Sequence, residues 1–388
     1  MSVSARSSST DSAELASSAP AFFPHPVFLM VNSLERGGSE RQFVELAGSL
    51  KRAGTPVQLG CIQRIGPFID ELARSGFEDL REFGLGNSLY GLESLRCRWR
   101  LMRHLLKSEI AVAHSFDFYI NLTLIPSAKL ARVPVIGSQR QLGDLLTPAQ
   151  NRAQLEMFRW CERVVCNSQA AADRLARAGL KTEKLAVIGN GLPSAAFEPA
   201  VPSIERQKGI LRVGMIARMN IRAKNQSILL RAAAGLKRKF PEVEYLLVGD
   251  GPLRADLEKE AAELGVRSQV SFLGDRSDVR QILASLDVSV VPSASESLSN
   301  VMLESMAAGI PVVATSVGGN IELGSDGRAV LVPLNDEAAL ASGLEAVLSD
   351  GKLRDELACR ARQFAERKFS LGRICQQYCE LYYDVLSA

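Results

Sequence analysis

Short, nearly continuous apolar runs alternate along the chain with segments in which apolar residues recur every third or fourth position. The first pattern predicts buried strands and the second predicts helices, so their alternation indicates parallel sheets with helical crossovers. The predicted strands of the first half are 27–31, 57–62, 110–114, 133–138, 163–167 and 185–188. Those of the second half are 211–217, 243–249, 269–273, 287–292 and 311–315. Most of these runs lack polar positions, and we therefore expect helices on both faces of each sheet.

The apolar pattern lapses once, at residues 199–209, where proline and charged residues indicate a linker. We therefore predict an α/β fold of two Rossmann-like domains that face each other across a cleft, with domains at 25–200 and 208–371. Ligands of such sheets bind beyond the carboxyl ends of the strands. Residues 372–388 have apolar positions at helical spacing and need an apolar partner surface. Residues 1–24 begin with a stretch rich in serine and alanine, and we predict a disordered tail there.

Composition narrows the function classes. The chain has 388 residues, 46% of them hydrophobic and 23% charged, and these values are ordinary for a globular protein of two domains. A net charge of +3 gives no reason to expect a nucleic-acid partner. The seven cysteines match neither a disulfide framework nor a zinc site, so we expect reduced thiols in a cytoplasmic protein. No apolar run approaches the roughly 20 residues of a membrane span, and we expect a soluble protein.

The first candidate motif is a glycine loop directly after the first predicted strand. Gly37 and Gly38 are followed by Ser39 and Gln42, whose spacing is that of a capping box, so a helix should begin at the glycines. Backbone N–H groups at a helix start favour a phosphate or a sugar hydroxyl. The alternative is a tight turn between strand and helix with no ligand.

The second motif places two cations after the first strand of the C-terminal domain. Arg218 lies just past the strand end, and Lys224 is expected to open the next helix. Fixed cations at such a position can bind a diphosphate and neutralise its charge as it leaves. The alternative is a solvated basic turn, since Arg222 lies between the two.

The third motif is a polar loop that runs from a strand ending at Pro292 into a helix beginning near Asn300. Glu296 lies in the loop, and Glu304 lies about one turn into the helix. The helix start offers free amides, and two carboxylates can accept hydrogen bonds from a sugar and a ribose. The alternative is a pair of unrelated surface glutamates, but an apolar helix rarely carries an inward glutamate without a partner.

Together these motifs resemble the signature of family 4 glycosyltransferases of the GT-B fold. Glu296 and Glu304 have seven residues between them and precede a run of alanine, methionine and glycine. The glycine loop, the pair of Arg218 and Lys224, and glycine-containing segments at 248–252, 272–274 and 317–319 follow in the family's order. The resemblance extends from about residue 27 to the C-terminus and is strongest after residue 211.

The resemblance implies a retaining, hexosyltransferase-type enzyme that moves a sugar from a nucleotide-diphosphate sugar to a glycan or lipid-linked acceptor, in polysaccharide or glycolipid biosynthesis. It implies no cofactor and no metal, with Arg218 and Lys224 replacing a metal at the diphosphate, and the sequence contains no Asp-x-Asp. It also implies an N-terminal acceptor domain onto which helix 372–388 packs back, and a C-terminal donor domain.

The same resemblance implies roles for single residues. Glu296, Arg218 and Lys224 would be catalytic, with Glu296 on hydroxyls of the donor sugar and Glu304 on the ribose. Amides of the Glu296 loop would hold sugar and phosphate, the paired glycines would lie near the phosphates, and Gly249 and Arg276 near the base. The implied donor-binding residues are Gly37, Gly38, Gly249, Arg276, Leu298, Ser299, Asn300, Val301 and Glu304.

Two features depart from the family pattern. A histidine often lies two residues beyond the position of His114, but Phe116 stands there, and His114 itself is either a sugar contact or a core residue. Leu298 and Ser299 replace a common aromatic residue and a common glycine, which leaves the donor sugar open.

A basic stripe lies between Leu95 and Lys107 of the acceptor-side domain. Its members are Arg96, Arg100, Arg103 and Lys107, and Leu95, Trp99, Met102 and Leu106 lie on a neighbouring face. Such a helix could contact the inner face of a membrane peripherally, or it could be an ordinary helix with one core face.

Other functions remain open from the sequence. One is a GT-B sugar phosphorylase or an enzyme of the sucrose-synthase type. Another is a catalytically inactive protein that binds nucleotide sugars, which the joint presence of Glu296, Glu304, Arg218 and Lys224 argues against.

Overall fold

A computed structural model describes residues 22–85 and 91–387 and contains two α/β domains, each built on one parallel sheet. The first sheet contains the strands β1 (Val27–Val31), β2 (Val57–Cys61), β3 (Leu80–Glu82), β4 (Val112–Ser115), β5 (Val135–Gln139), β6 (Arg163–Cys166) and β7 (Leu185–Val187). Their order across the sheet is β3-β2-β1-β4-β5-β6-β7. The helices of this half are α1 (Gly38–Arg52), α2 (Phe68–Arg74), α3 (Leu92–Lys107), α4 (Phe118–Leu130), α5 (Pro148–Trp160) and α6 (Gln169–Arg177).

The second sheet contains β8 (Arg212–Ile216), β9 (Glu244–Val248), β10 (Val270–Gly274), β11 (Val288–Val291), β12 (Val312–Thr315) and β13 (Val330–Val332). Their order is β10-β9-β8-β11-β12-β13. The helices that follow are α7 (Gln226–Leu236), α8 (Arg254–Glu263), α9 (Val279–Leu283), α10 (Asn300–Ala307), α11 (Gly319–Gly324), α12 (Glu337–Ser349), α13 (Gly351–Phe369) and α14 (Leu371–Ser387). The expected fold class, two Rossmann-like domains, is confirmed.

The sequence pattern missed β3 and β13, which are edge strands of three residues each. A strand this short carries too few positions to show a pattern, and only its pairing with β2 or β12 identifies it. The predicted strands otherwise coincide with observed ones to within a few residues.

Helix α14 lies on the N-terminal domain, although it follows the last helix of the C-terminal one. Its residues Ile374, Tyr378 and Tyr382 are buried in the same core as Val27 of β1 and Phe43 of α1. The chain enters α14 beside the end of the N-terminal domain, where Leu371 N donates to Leu192 O at 2.8 Å. This apolar surface is the partner that the spacing of the helix requires.

The end of the predicted tail is part of the domain. Phe23 is fully buried against Tyr382 and Tyr383 of α14, and the Tyr383 hydroxyl donates to Phe22 O at 2.8 Å. The ordered domain therefore includes residues 22–24, which the sequence pattern assigns to the tail, because α14 supplies an apolar partner that the local sequence does not reveal. The rest of the predicted tail, residues 1–21, lies outside the described residues.

Candidate active site

A cavity of about 730 Å³ lies between the two domains, where the carboxyl ends of both sheets face each other. It brings together twelve of the thirteen residues singled out from the sequence, and only His114 is missing from its lining. The twelve are Gly37, Gly38, Arg218, Lys224, Gly249, Arg276, Glu296, Leu298, Ser299, Asn300, Val301 and Glu304. The cleft position follows from the fold, since parallel strands present their carboxyl ends at one edge of a sheet.

The centre of the C-terminal wall is an ion pair between Lys224 and Glu296. Lys224 Nζ donates to Glu296 Oε1 at 2.7 Å, and the two side chains are 31% and 12% exposed. The sequence predicts that Lys224 opens α7, and this is wrong. Lys224 instead ends a 3₁₀ turn at Arg222–Lys224. Asn225 follows in the left-handed conformation, with φ of 61°, and the helix then begins at Gln226. This turn directs Lys224 toward the Glu296 loop.

Arg218 leaves the end of β8 beside the same pair. Gln226 Nε2 donates to Arg218 O at 3.1 Å and fixes the backbone there. The neighbouring turn requires Gly249, whose φ is 128°, because a Cβ on it would lie 2.1 Å from Ala217 O. The close approach of these two strand ends places Arg218 and Gly249 in one wall of the cavity.

The start of α11 supports the Glu296 loop. Gly319 N donates to Glu296 O at 3.0 Å, and a Cβ on Gly318 would lie 1.9 Å from the same oxygen. Ser299 caps α10, since its Oγ accepts from Met302 N at 3.3 Å. The serine that replaces a common glycine therefore has a local role. The first turn of a helix has no intrahelical acceptors for its amides, so Asn300 N and Val301 N offer donors at the cavity wall.

Glu304 lies one turn into α10 and also lines the cavity. Burial raises the pKa of its carboxyl group to about 7, and the nearby charge of Glu45 adds to this rise. The positive charge of Arg41 acts in the opposite direction. The ionised form of this carboxyl group accepts hydrogen bonds from ligand hydroxyls, and its protonation near neutral pH weakens that ability.

The N-terminal wall is the glycine loop at the start of α1. The helix begins at Gly38, as the glycines predicted, but without the expected capping box. Gln42 instead reaches Gly191, accepting from its N at 2.6 Å and donating to its O at 3.1 Å. Asn300 Nδ2 donates to Gly38 O at 3.3 Å, so the starts of α1 and α10 face each other across the cleft.

The two domains also touch at the rim of the cleft. Arg36 and Asp275 form an ion pair of 2.7 Å, and Ser295 Oγ donates to Asp144 at 2.6 Å. Arg276, next to Asp275, is held by Asp278 through hydrogen bonds of 2.7 and 2.8 Å. The pair of Arg36 with Asp275 and the bond from Ser295 to Asp144 therefore join the two domains at the rim.

His114 lies in the core of the N-terminal domain and lines neither this cavity nor the smaller one described below. It is fully buried, with Nδ1 3.0 Å from the Tyr382 hydroxyl and Nε2 2.9 Å from Ser138 Oγ. Burial lowers its pKa to about 3, with a further contribution from Arg140, so the ring is neutral at pH 7. Both nitrogens have partners inside the protein and neither reaches the cavity.

A second, smaller cavity of about 270 Å³ lies within the N-terminal domain and was not predicted. It follows the carboxyl ends of β1, β4 and β5 and is polar apart from three aromatic side chains. Its lining consists of Asn32, Ser39, Glu40, Phe116, Asp117, Phe118, Tyr119, Ser138, Gln139, Arg140, Gln141 and Gln154. The one sequence signal for it is the polar run that directly follows the apolar start of β5.

Neither a metal cluster nor a membrane-spanning helix is found in the described part of the chain. No three His, Cys, Asp or Glu side chains within residues 22–85 and 91–387 converge on a common point. None of the helices there is both long and apolar enough to cross a bilayer.

Helix α3 carries the basic stripe on the surface. Arg96, Arg100, Arg103 and Lys107 are exposed, while Leu101 and Leu105 are buried in the core. The neighbouring apolar residues only partly face the core: Leu95, Trp99 and Leu106 are each more than half exposed, as is Leu92.

Comparison with known proteins places both halves of the chain in one group. A family described as Glycosyltransferase Family 4 matches residues 36–195, and one described as Glycosyl transferases group 1 matches residues 210–350. The lipopolysaccharide core biosynthesis glycosyltransferase LpsE of Rhizobium meliloti is 34% identical over 62% of this chain and 68% of its own length. LpsD of the same organism is 28% identical over 89% of this chain and 95% of its own.

Solved structures share the fold. The structure of Anabaena Alr3699/HepE in complex with UDP-glucose has a TM-score of 0.81 and 24% identity, and covers 93% of this chain and 100% of that one. The structure of WaaG, a glycosyltransferase involved in lipopolysaccharide biosynthesis, has a TM-score of 0.71 and 18% identity, and covers 92% of this chain and 99% of that one.

Proposed function

Because this chain belongs to glycosyltransferase family 4 and has the GT-B fold, we propose that it transfers a hexose from a uridine-diphosphate sugar to a glycan or lipid-linked acceptor, with retention and without a metal. The uridine nucleotide is proposed because Alr3699/HepE, whose structure is similar over nearly the whole chain, was crystallised with UDP and with UDP-glucose. The acceptor class is proposed from LpsE and LpsD, which act in lipopolysaccharide core biosynthesis.

The observation that carries the proposal is the pairing of Lys224 with Glu296 in a cavity that Arg218 also lines. An entering diphosphate would bring two negative charges to these cations, which can stabilise the further charge that develops as the sugar bond breaks. Backbone amides at the starts of α1 and α10 would add fixed donors for the phosphates. No metal is needed for this neutralisation.

The carboxylates have separate proposed roles. Glu296, held by Lys224, accepts hydrogen bonds from hydroxyls of the donor sugar, and Glu304 accepts them from the ribose. The leaving phosphate takes the proton of the acceptor hydroxyl on the same face of the sugar, so retention needs no enzymatic nucleophile. Gly249 and Arg276, which also line the cavity, contact the base.

We further propose that α3 holds the protein on an anionic membrane surface, where a lipid-linked acceptor is found. The support is the combination of four exposed cations with the exposed side chains of Leu92, Leu95, Trp99 and Leu106. Arginine and lysine attract anionic headgroups, and tryptophan and leucine enter the interface.

The proposed function is tested by ligand binding followed by turnover. UDP and UDP-hexoses should bind more tightly than GDP or ADP. They should therefore raise the melting temperature more at the same concentration, because a ligand that binds only the folded state stabilises it according to its affinity. The purified enzyme should then release UDP from a UDP-hexose in the presence of acceptor, and the product should keep the anomeric configuration of the donor. If the protein binds a UDP-hexose but releases no UDP with any acceptor tested, the alternative of a catalytically inactive binding protein is favoured instead.

A further inference from the structure

The small cavity of the N-terminal domain lies next to the cavity between the domains. Three residues, Ser39, Arg140 and Gln141, line both. A molecule in the small cavity would therefore reach the larger one at this junction. The junction lies on the acceptor side of the proposed donor site, because its residues all belong to the N-terminal domain.

Arg140 is a half-buried cation that the described structure pairs only with neutral groups. Its Nη2 donates to Asn190 Oδ1 at 2.7 Å, and its Nη1 donates to the Tyr378 hydroxyl at 3.5 Å. The guanidinium lies 5.3 Å from the centre of the Phe116 ring. Among the ion pairs of residues 22–85 and 91–387, none involves Arg140. Tyr378, Asn190 and Phe116 hold the guanidinium in place without neutralising it.

Neither carboxylate of the small cavity forms an ion pair with Arg140 in the described structure. Asp117 accepts from Asn32 N at 2.7 Å and from Ile120 N at 3.1 Å, so both of its oxygens are used by the backbone. Glu40 lies close enough for Arg140 and Arg218 to lower its pKa, but burial outweighs them and raises that pKa above its usual value. Its position near the junction leaves it able to accept from a ligand hydroxyl.

The remaining lining is typical of a sugar site. Tyr119 presents a half-exposed ring at the edge of the cavity, and Gln141 and Gln154 contribute side-chain amides. Aromatic faces pack on the apolar face of a sugar ring, while amides and carboxylates bind its hydroxyls. A guanidinium in such a setting adds a preference for a negative substituent, which it can bind through two parallel hydrogen bonds.

We propose that the small cavity binds an acceptor sugar unit that carries a phosphate or carboxylate group, and that Arg140 pairs with that group and so selects the acceptor. This inference rests on the proposed function, since it assigns the acceptor of the same reaction. Once the charged group is fixed at the junction, a hydroxyl of the same sugar can point into the donor cavity, and Glu40 of the small cavity can accept a hydrogen bond from another hydroxyl of that sugar.

The test compares charged and neutral sugars as probes of the full-length protein. Glucose 6-phosphate, glucuronate and glucose are titrated into the protein, with binding followed by the melting temperature and by ligand-detected NMR. UDP is kept at saturation, so that its diphosphate already occupies the cations of the donor cavity. The variants are Arg140→Gln, Arg140→Lys and, as a matched control, Arg152→Gln, an exposed arginine that lines neither cavity.

The expected result is that glucose 6-phosphate and glucuronate bind at least about tenfold more tightly than glucose, as charge-assisted hydrogen bonds imply. Arg140→Gln should remove that preference, Arg140→Lys should restore part of it, and Arg152→Gln should keep it. Equal binding of charged and neutral sugars to the wild type would overturn the inference. So would a loss of UDP affinity in Arg140→Gln with the sugar preference intact, since the guanidinium would then serve the donor. A failure of UDP itself to bind would instead count against the proposed function.

Discussion

At the scale of single residues, the candidate site depends on the Glu296 carboxylate, which binds Lys224 and also faces the cavity. Lys224 holds Glu296 at 2.7 Å while both remain partly accessible from the cavity. The lysine has three donors, so it can keep this bond and still contact a phosphate oxygen. Arg222, two residues earlier in the same turn, is exposed and does not line the cavity.

Replacing Lys224 with alanine should lower kcat by about 10²-fold, because a cation that stabilises the departing diphosphate is lost. Release of UDP from the donor in the presence of acceptor measures the effect. Arg222→Ala removes the same kind of charge outside the cavity and should retain wild-type turnover. Equal losses in the two variants would mean that Lys224 acts only through net charge.

Glu304 predicts a pH dependence of nucleotide binding. Its pKa of about 7 means that the carboxyl group becomes protonated as the pH falls through 7, and the protonated form accepts ribose hydroxyls poorly. Affinity for UDP, measured by calorimetry, should therefore fall with decreasing pH, by up to about tenfold per unit. Glu304→Gln keeps the pH dependence of the diphosphate itself and should lack this additional change. Identical pH profiles for the two proteins would contradict the role of Glu304.

At the scale of elements, the site is built from strand ends and helix starts. Gly318 has φ of 45° and lies against Glu296 O, so the start of α11 supports the loop before α10. On the other wall, Gly37 and Gly38 begin α1 directly opposite Asn300. The N-terminal domain also contains α3, whose exposed apolar and basic residues do not line the cavity between the domains.

Replacing Arg96, Arg100, Arg103 and Lys107 with glutamine should abolish binding to vesicles that contain anionic lipid, because the headgroup attraction of α3 is lost. Cosedimentation with vesicles at low ionic strength measures this. A control removes four exposed charges from α13 instead, with Lys352, Arg360, Arg367 and Lys368 replaced by glutamine. Unchanged vesicle binding of the α3 variant, or an equal loss in the control, would exclude α3 as the membrane contact.

At the scale of the whole molecule, α14 connects the end of the C-terminal domain to the core of the other. Tyr382 is fully buried and lies 3.0 Å from His114 Nδ1, which is itself fully buried in β4. Tyr378 of the same helix contacts Arg140. The helix thus reaches both the core and the wall of the small cavity.

Tyr382→Phe should lower the free energy of unfolding by about 1–3 kcal/mol, because it leaves a buried nitrogen of His114 without its partner. Chemical denaturation measures the change. Tyr383→Phe is the matched control, since Tyr383 is 43% exposed and water can replace its bond to Phe22. A Tyr382→Phe variant as stable as the control would show that the hydrogen bond to His114 contributes little.

The sequence by itself determined the two sheets and the group of residues at their facing edges. Strand runs followed by glycine or charged turns are local patterns, and in a parallel sheet every such turn emerges at the same edge. For this reason the pattern alone places Arg218 and Glu296 at one edge of the second sheet, although they lie far apart in the chain, and Gly37 at the corresponding edge of the first sheet. Their chemical roles stay predictions.

Only the tertiary structure decided which polar residues face a ligand and which face the core. His114 lies within β4 and Arg140 directly follows β5. His114 is sealed between Tyr382 and Ser138, whereas Arg140 lines two cavities. Phe23 is likewise buried by contacts with α14, which is distant from it in sequence. Burial and pairing depend on contacts between residues distant in sequence, and local pattern carries no record of those contacts.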